Sequence, residues 1–362
     1  MTFRQRLLSV LHGQQPDVMP WFADLSYWYY AQRHRGLLAP EYEGKAGFVR
    51  LHRDYHVGYY LGYAPVYHTT YDGVTVTHEQ AGAVTTTRWQ TPVGELWGQT
   101  QFSEITCASA PVRWAVRTPE DLRVLRYIAA ATRITPDYSD YAEQQRLAGD
   151  QGHPSVFPPR SPISQLLAEW TGVVNLTYLV ADAPEAVQET VTALENAADG
   201  AFAALLGCDA PWVEFADNLS GEVITPFFKR FQYDYYLRRL AQLHGAGKLV
   251  GVHLDGTMRG ILPLLVEVGM DFIESITPRP TGDVGVEELR DLAGPRVILW
   301  GGIPGAMFAP PFTEAMMRRQ VDKILEYHWP SANFILASAD QVPPNGDMEL
   351  VRKVGEWVEE MG

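Results

Sequence analysis

Hydrophobic and polar positions along the chain fall into two regimes: a mixed amino-terminal third, then strands alternating with helices. Thr2 followed by Gln5 reads as a capping box, and Leu7, Leu8, Val10 and Leu11 give the helix behind it an apolar face that Gly13 can end. The run Pro16-Asp17-Val18-Met19-Pro20-Trp21-Phe22 reads as a first strand lying between prolines. From about Gly73 to Trp114 the pattern is β-branched and alternating. Val74-Thr75-Val76-Thr77 and Val84 to Trp89 flank Gly82 as a hairpin, and Val93–Trp97 and Val112–Trp114 add strands. This stretch, about 70–116, reads as an antiparallel β insertion.

After Asp121 short apolar runs are followed by helical stretches. The strand candidates are Ser155–Phe157, Trp212–Phe215, Leu249–His253, Phe272–Ser275, Val297–Trp300 and Phe334–Leu336. The helix candidates are Ala183–Leu205, Pro226–Ala246, Thr257–Val268, Val286–Leu292, Thr313–Tyr327 and Met348–Met361. This alternation implies a parallel sheet, and with no Rossmann glycine fingerprint it favours a closed (β/α)8 TIM barrel. With the first strand, seven are visible. The eighth is expected between Pro162 and Val180. The expectation is a single barrel domain over residues 1–362, with an N-terminal helical segment.

Composition narrows the function classes. The 362 residues exceed the roughly 250 of a minimal barrel. Lys and Arg number 29 against 43 Asp and Glu, a formal charge of −14, which argues against a nucleic-acid partner. Cys107 and Cys208 are too few for a disulfide framework. No apolar run reaches the roughly 18 residues of a membrane span, and Met1 to Arg6 leads into an amphipathic helix rather than a signal peptide. The expectation is a cytoplasmic protein acting on a small-molecule substrate, away from membranes, with an oligomer left open.

Chemistry in such barrels gathers at the carboxyl ends of the strands. Those positions hold Asp24, Tyr27 and Tyr30; Arg160 after Pro158-Pro159; Glu214 and Asp217; His253 and Asp255; Glu274; and Asp340. Residues two apart on a strand share a face, so His253 and Asp255 can reach one ion or one substrate group. One histidine with two or three carboxylates suits a divalent metal of mixed N/O preference such as zinc, iron or manganese. Asp255 before Gly256 reads equally as a cap for a helix starting near Thr257, and Asp340 as a turn residue. Arg160 reads either as a bidentate clamp on a substrate carboxylate or as the partner of a structural acid.

Four stretches resemble the uroporphyrinogen decarboxylase-like superfamily, which includes the true decarboxylases and the corrinoid-dependent methyltransferases. They are Arg4–Gly13 with Pro16–Pro20, His253–Gly256 with Leu262–Leu265 and Gly269–Asp271, Gly301–Pro304, and Phe334–Leu336 through Val342-Pro343-Pro344. In the methyltransferase branch a His-x-Cys pair and a Cys on the last strand hold a zinc that activates a thiol. His253 matches that histidine, while Asp255 and Asp340 stand where the cysteines would be. Harder ligands weaken the case for zinc and for thiol activation while remaining compatible with a metal. The decarboxylases resemble one another through a Met-Arg-Gln-Ala-Gly-Arg stretch that holds substrate carboxylates. Here Asp24 to Gly36 stands near that place, with Arg33 and Arg35 as partial substitutes.

The resemblance thus implies a barrel enzyme, a methyltransferase with His253, Asp255 and Asp340 as metal ligands. Glu214 or Asp217 is the general base or a further ligand, Arg160 orients an anionic group, and Tyr27 lines the pocket. A corrinoid, where used, would arrive on a partner protein. The alternatives are a carboxy-lyase acting on a tetrapyrrole or other carboxylate, and a non-catalytic ligand-binding barrel.

Overall fold

The computed structural model describes residues 1–361. Its strands are β1 (Trp21–Asp24), β2 (Tyr67–Tyr71), β3 (Thr75–Ala81), β4 (Val84–Thr91), β5 (Gly94–Ser103), β6 (Ala108–Arg113), β7 (Thr132–Pro136), β8 (Trp212–Leu219), β9 (Leu249–Leu254), β10 (Phe272–Ile276), β11 (Ile298–Pro304) and β12 (Phe334–Gln341). Six of them form one parallel sheet in the order β1-β12-β11-β10-β9-β8. These are the apolar runs that fall between helices, buried on both faces as a parallel sheet requires.

Two irregular extended segments lie between the free edges of β1 and β8. Gly58 N–H donates to Trp21 O at 2.9 Å, His153 N–H to Tyr59 O at 3.0 Å, Ser155 N–H to Tyr60 O at 2.9 Å, and Glu214 N–H to Val156 O at 3.0 Å. Eight extended segments therefore contribute to the (β/α)8 barrel. Glycine makes the close approaches. A Cβ at Gly152 would run into the carbonyl of Tyr59, and one at Gly58 into the ring of Phe22.

The eighth segment is thus Val57–Leu61, not a strand between Pro162 and Val180. Residues Pro162–Gln165, Leu166–Thr171 and Gly172–Asp182 are helical. Leu166, Leu176 and Leu179 are buried, the inward face of a helix rather than a strand. The helix expected over 183–205 is two, Pro184–Ala197 and Asp199–Gly207, and the one expected from Thr257 begins only at Leu262.

The amino-terminal helix α1 (Phe3–Leu11) has the capping box at Thr2 and Gln5. Its Leu7, Val10 and Leu11 join Phe22, Tyr60, Trp212, Phe272, Trp300 and Ile335 in one buried cluster that fills the barrel below the strand ends. A second, larger cluster lies between sheet and helices. The insertion is a four-stranded antiparallel sheet, β3-β4-β5-β6, beside the ribbon of β2 and β7. Among the described residues no helix is long and apolar enough to cross a membrane.

Candidate metal site at the strand ends

His253 lies on β9 facing the barrel interior, and Glu274 on β10 is its register partner. Imidazole Nδ1 is 2.5 Å from Glu274 Oε2, and Glu274 Oε1 accepts from the Tyr60 hydroxyl at 2.9 Å. Two ligands of one ion, with bonds near 2.1 Å and a right angle between them, stand about 3.0 Å apart. The His253–Glu274 contact is shorter than that, so it is a hydrogen bond and not an ion's place. Glu274 holds the proton on Nδ1, which leaves Nε2 as the nitrogen that a metal can take in place of a proton.

Nε2 is buried and has no hydrogen-bond partner. It faces Asp340 Oδ1 at 3.6 Å, too far for a hydrogen bond. That spacing is near the about 3.4 Å edge of a tetrahedron with bonds of about 2.1 Å. Asp255 completes the set: one ligand atom each from His253, Asp255 and Asp340 lies within 4.8 Å of the others. The structure therefore brings together the three residues that the sequence pattern singles out as ligands. Asp255 does not cap a helix at Thr257, because none starts there. The N–H groups of Met258 and Arg259 bond instead to Asp283.

The electrostatics favour positive charge at this point. Burial opposes a charged imidazole at His253, but Glu274 outweighs it, with Asp340 and Glu214 adding, and the pKa rises to about 10. Asp340 is pushed up to about 7, by burial first and then by Asp24, Glu274 and Asp255 against the pull of His253. A proton or a divalent ion would relieve this excess of carboxylates.

Glu214 also points inward, with a carboxyl oxygen within 4.8 Å of His253 and Glu274 ligand atoms. Neither of its oxygens has a hydrogen-bond partner. Burial, reinforced by Glu274, holds its pKa well above the carboxylate range, so the uncharged acid is favoured. Asp24 at the end of β1 accepts from the Ser26 N–H and the Gln341 amide, each at 2.8 Å, and ties β1 to β12. Above them Tyr63, more than half exposed at 57%, stacks on Phe157 with ring centroids 5.6 Å apart.

Three expected site residues stand elsewhere. Asp217 is an odd number of positions from Glu214 and so faces the helices. It accepts from Ser161 N–H at 2.8 Å and Tyr236 hydroxyl at 2.5 Å, which makes it a structural acceptor rather than a base. Arg160 donates to Ala216 O and Asn218 Oδ1 and pairs with Glu169, so its guanidinium braces the end of β8 and partners an acid of the chain itself. The Tyr27 hydroxyl donates to Thr106 O in the β5–β6 turn, anchoring the insertion rather than lining the site. Arg33 pairs with Glu43, and Arg35 donates to Pro344 O and Ile105 O.

Two residues of the site escaped the sequence reading. Glu274 stood at a strand end without a role, and its signal was its place beside His253 on the next strand. Tyr60 gave no signal, because it sits in a glycine-punctuated stretch that reads as a loop.

Comparison with known proteins agrees with this architecture. The profile of the family described as uroporphyrinogen decarboxylase (URO-D) matches residues 159–361, more than half of the chain. A methyltransferase from Methanosarcina mazei superposes with a TM-score of 0.64 over 100% of this chain and 99% of that one, at 12% sequence identity, a likeness of fold alone. Among curated proteins none matches the chain by sequence.

Proposed function

The chain belongs to the uroporphyrinogen decarboxylase (URO-D) family, and from that we propose an enzyme that transfers a methyl group, with His253, Asp255 and Asp340 holding a divalent metal at the barrel mouth. The observation that carries this reading is the unpartnered Nε2 of His253, fixed through Nδ1 and flanked by two carboxylates. One nitrogen and two oxygen donors suit zinc or a harder ion such as iron or manganese. Bound there, the ion would act as a Lewis acid that lowers the pKa of the methyl acceptor.

The chain's own groups do the rest. Glu274 orients the imidazole. Glu214 keeps a proton on its carboxyl beneath the acceptor and can offer it as a hydrogen bond that orients the acceptor, without giving the proton up. Tyr63 and Phe157 give the mouth an aromatic wall against which a small substrate can lie. In the transfer, the bond from carbon to its carrier breaks with its electrons left on the carrier. The acceptor's lone pair makes the new bond, and the acceptor's proton goes to solvent. A corrinoid carrier, where used, is brought by a partner protein.

Decarboxylation of a tetrapyrrole fits these residues poorly. A polyanionic ligand would meet the acidic groups of Asp24, Glu274 and Asp340, while Arg160, Arg33 and Arg35 are engaged elsewhere. The test is elemental analysis of protein purified without added metal, beside Asp255→Ala. A stoichiometric transition metal in the wild type that is lost in the variant is the expected result. Metal-free protein, together with quenching of tryptophan fluorescence by a tetrapyrrole, would overturn the reading in favour of the decarboxylase.

A further inference from the structure

We infer that Tyr60 is a positioning residue for the metal site, acting on His253 through Glu274. This rests on the reading that His253, Asp255 and Asp340 hold a metal. The two contacts share Glu274 as a bridge: the Tyr60 hydroxyl donates to Oε1 at 2.9 Å, and Oε2 takes His253 Nδ1 at 2.5 Å. Glu274 is wholly buried, and each of its oxygens is committed to one of these partners. Without the hydroxyl, Oε1 loses the donor that holds it, and the carboxylate is free to turn. Nδ1 then loses its fixed acceptor, and Nε2 loses its aim at the space shared with Asp255 and Asp340.

What sets Tyr60 is the packed barrel floor. Its ring is fully buried, 4.7 Å from the Trp300 ring and 6.0 Å from the ring of Phe22, which meets it edge-on. Trp300 in turn packs on Phe272 at 6.0 Å. Leu7, Val10 and Leu11 of α1 belong to the same cluster. The hydroxyl is therefore located by rigid aromatic packing, and the bridge carries that rigidity to the imidazole. No mouth loop takes part.

Zinc affinity, read by competition with a chromophoric chelator, tests this in the wild type, Glu274→Gln, Tyr60→Phe and Tyr236→Phe. Glu274→Gln should bind zinc about 10- to 100-fold more weakly, and Tyr60→Phe about fivefold more weakly, because the lost hydrogen bond reaches the metal only through Glu274. Tyr236→Phe removes an equally buried hydroxyl–carboxylate bond on the outer face of the wall, at Asp217, and should leave zinc affinity unchanged. If the wild type binds zinc stoichiometrically and Tyr60→Phe binds it as tightly, the inference falls and the proposed function stands. If the wild type binds neither zinc nor, in the same competition, iron or manganese, both fall. Should the variants not fold, nitrogen NMR of histidine-labelled wild type decides: zinc on Nε2 with a proton on Nδ1 supports the bridge, and zinc on Nδ1 overturns it.

Discussion

Glu214 and Asp217 stand three residues apart on β8 and face opposite sides of the barrel wall. Glu214 turns inward with both oxygens unpartnered, while Asp217 turns outward to Ser161 and Tyr236. The two acids are equally buried, yet their replacement should have opposite consequences. Asp217→Ala strands a backbone N–H and a hydroxyl, which costs about 2–4 kcal/mol. Glu214→Gln keeps the shape of a group that is already uncharged, and should shift stability by less than about 1 kcal/mol while reducing turnover. Urea unfolding of both variants, beside an activity assay, checks the contrast. A Glu214→Gln variant as unstable as Asp217→Ala would place Glu214 in the framework.

A metal at His253, Asp255 and Asp340 binds the folded chain, so its removal should lower the melting temperature. At a free metal concentration one hundred times Kd, the loss is about 2.7 kcal/mol. Dialysis against a chelator should produce this drop in the wild type and none in Asp255→Ala. Equal melting curves before and after dialysis in the wild type would argue against a bound ion.

Three buried histidines away from the site should make the protein acid-sensitive. Burial pushes His52, His153 and His328 each down to about 4 from the ordinary 6.5. The unfolded imidazole therefore takes up its proton at higher pH than the folded one. The stability each contributes is complete above about pH 6.5 and gone below about pH 4, and each shift corresponds to about 3 kcal/mol. Unfolding free energy measured against pH should fall over this window. The slope should be shallower in His328→Gln, whose parent ring stacks on Phe334 at 4.3 Å. An unchanged slope would exclude His328 as a source.

Gly152→Ala should destabilise the barrel by about 1–3 kcal/mol or more, because its Cβ meets the Tyr59 carbonyl and backbone must shift. Alanine at Gly294, where a Cβ meets nothing but φ is +67°, should cost only about 1 kcal/mol of backbone strain. Thermal unfolding of the two variants gives the comparison. A smaller loss at Gly152 would mean that the segment yields without cost.

Much of this fold is legible in the chain, for a physical reason. Parallel strands buried on both faces read as near-continuous apolar runs, and β8 to β12 each open on such a run. His253 and Asp255 can be paired because alternate strand residues share a face, and Asp340 because it ends the last strand. The same rule, counted one residue further, would have parted Asp217 from Glu214. The segment at Val57–Leu61 is not legible, since Gly58, Tyr59 and Tyr60 carry no period and the segment pairs through isolated bridges. Arg160 is not legible either. A guanidinium after two prolines looks the same in sequence whether it meets a substrate or, as here, the carbonyl of Ala216 and the side chain of Asn218.

The two irregular segments that join β1 to β8 give the cylinder a seam. Only a few amides, those of Gly58, Tyr59, His153, Ser155 and Glu214, tie it across, whereas β11 and β12 run side by side over six register pairs. Deuterium should therefore enter the seam amides well before those of β11 and β12. Tyr60 rides on that seam, so a ligand held at the mouth would slow exchange there, far in sequence from the residues it touches.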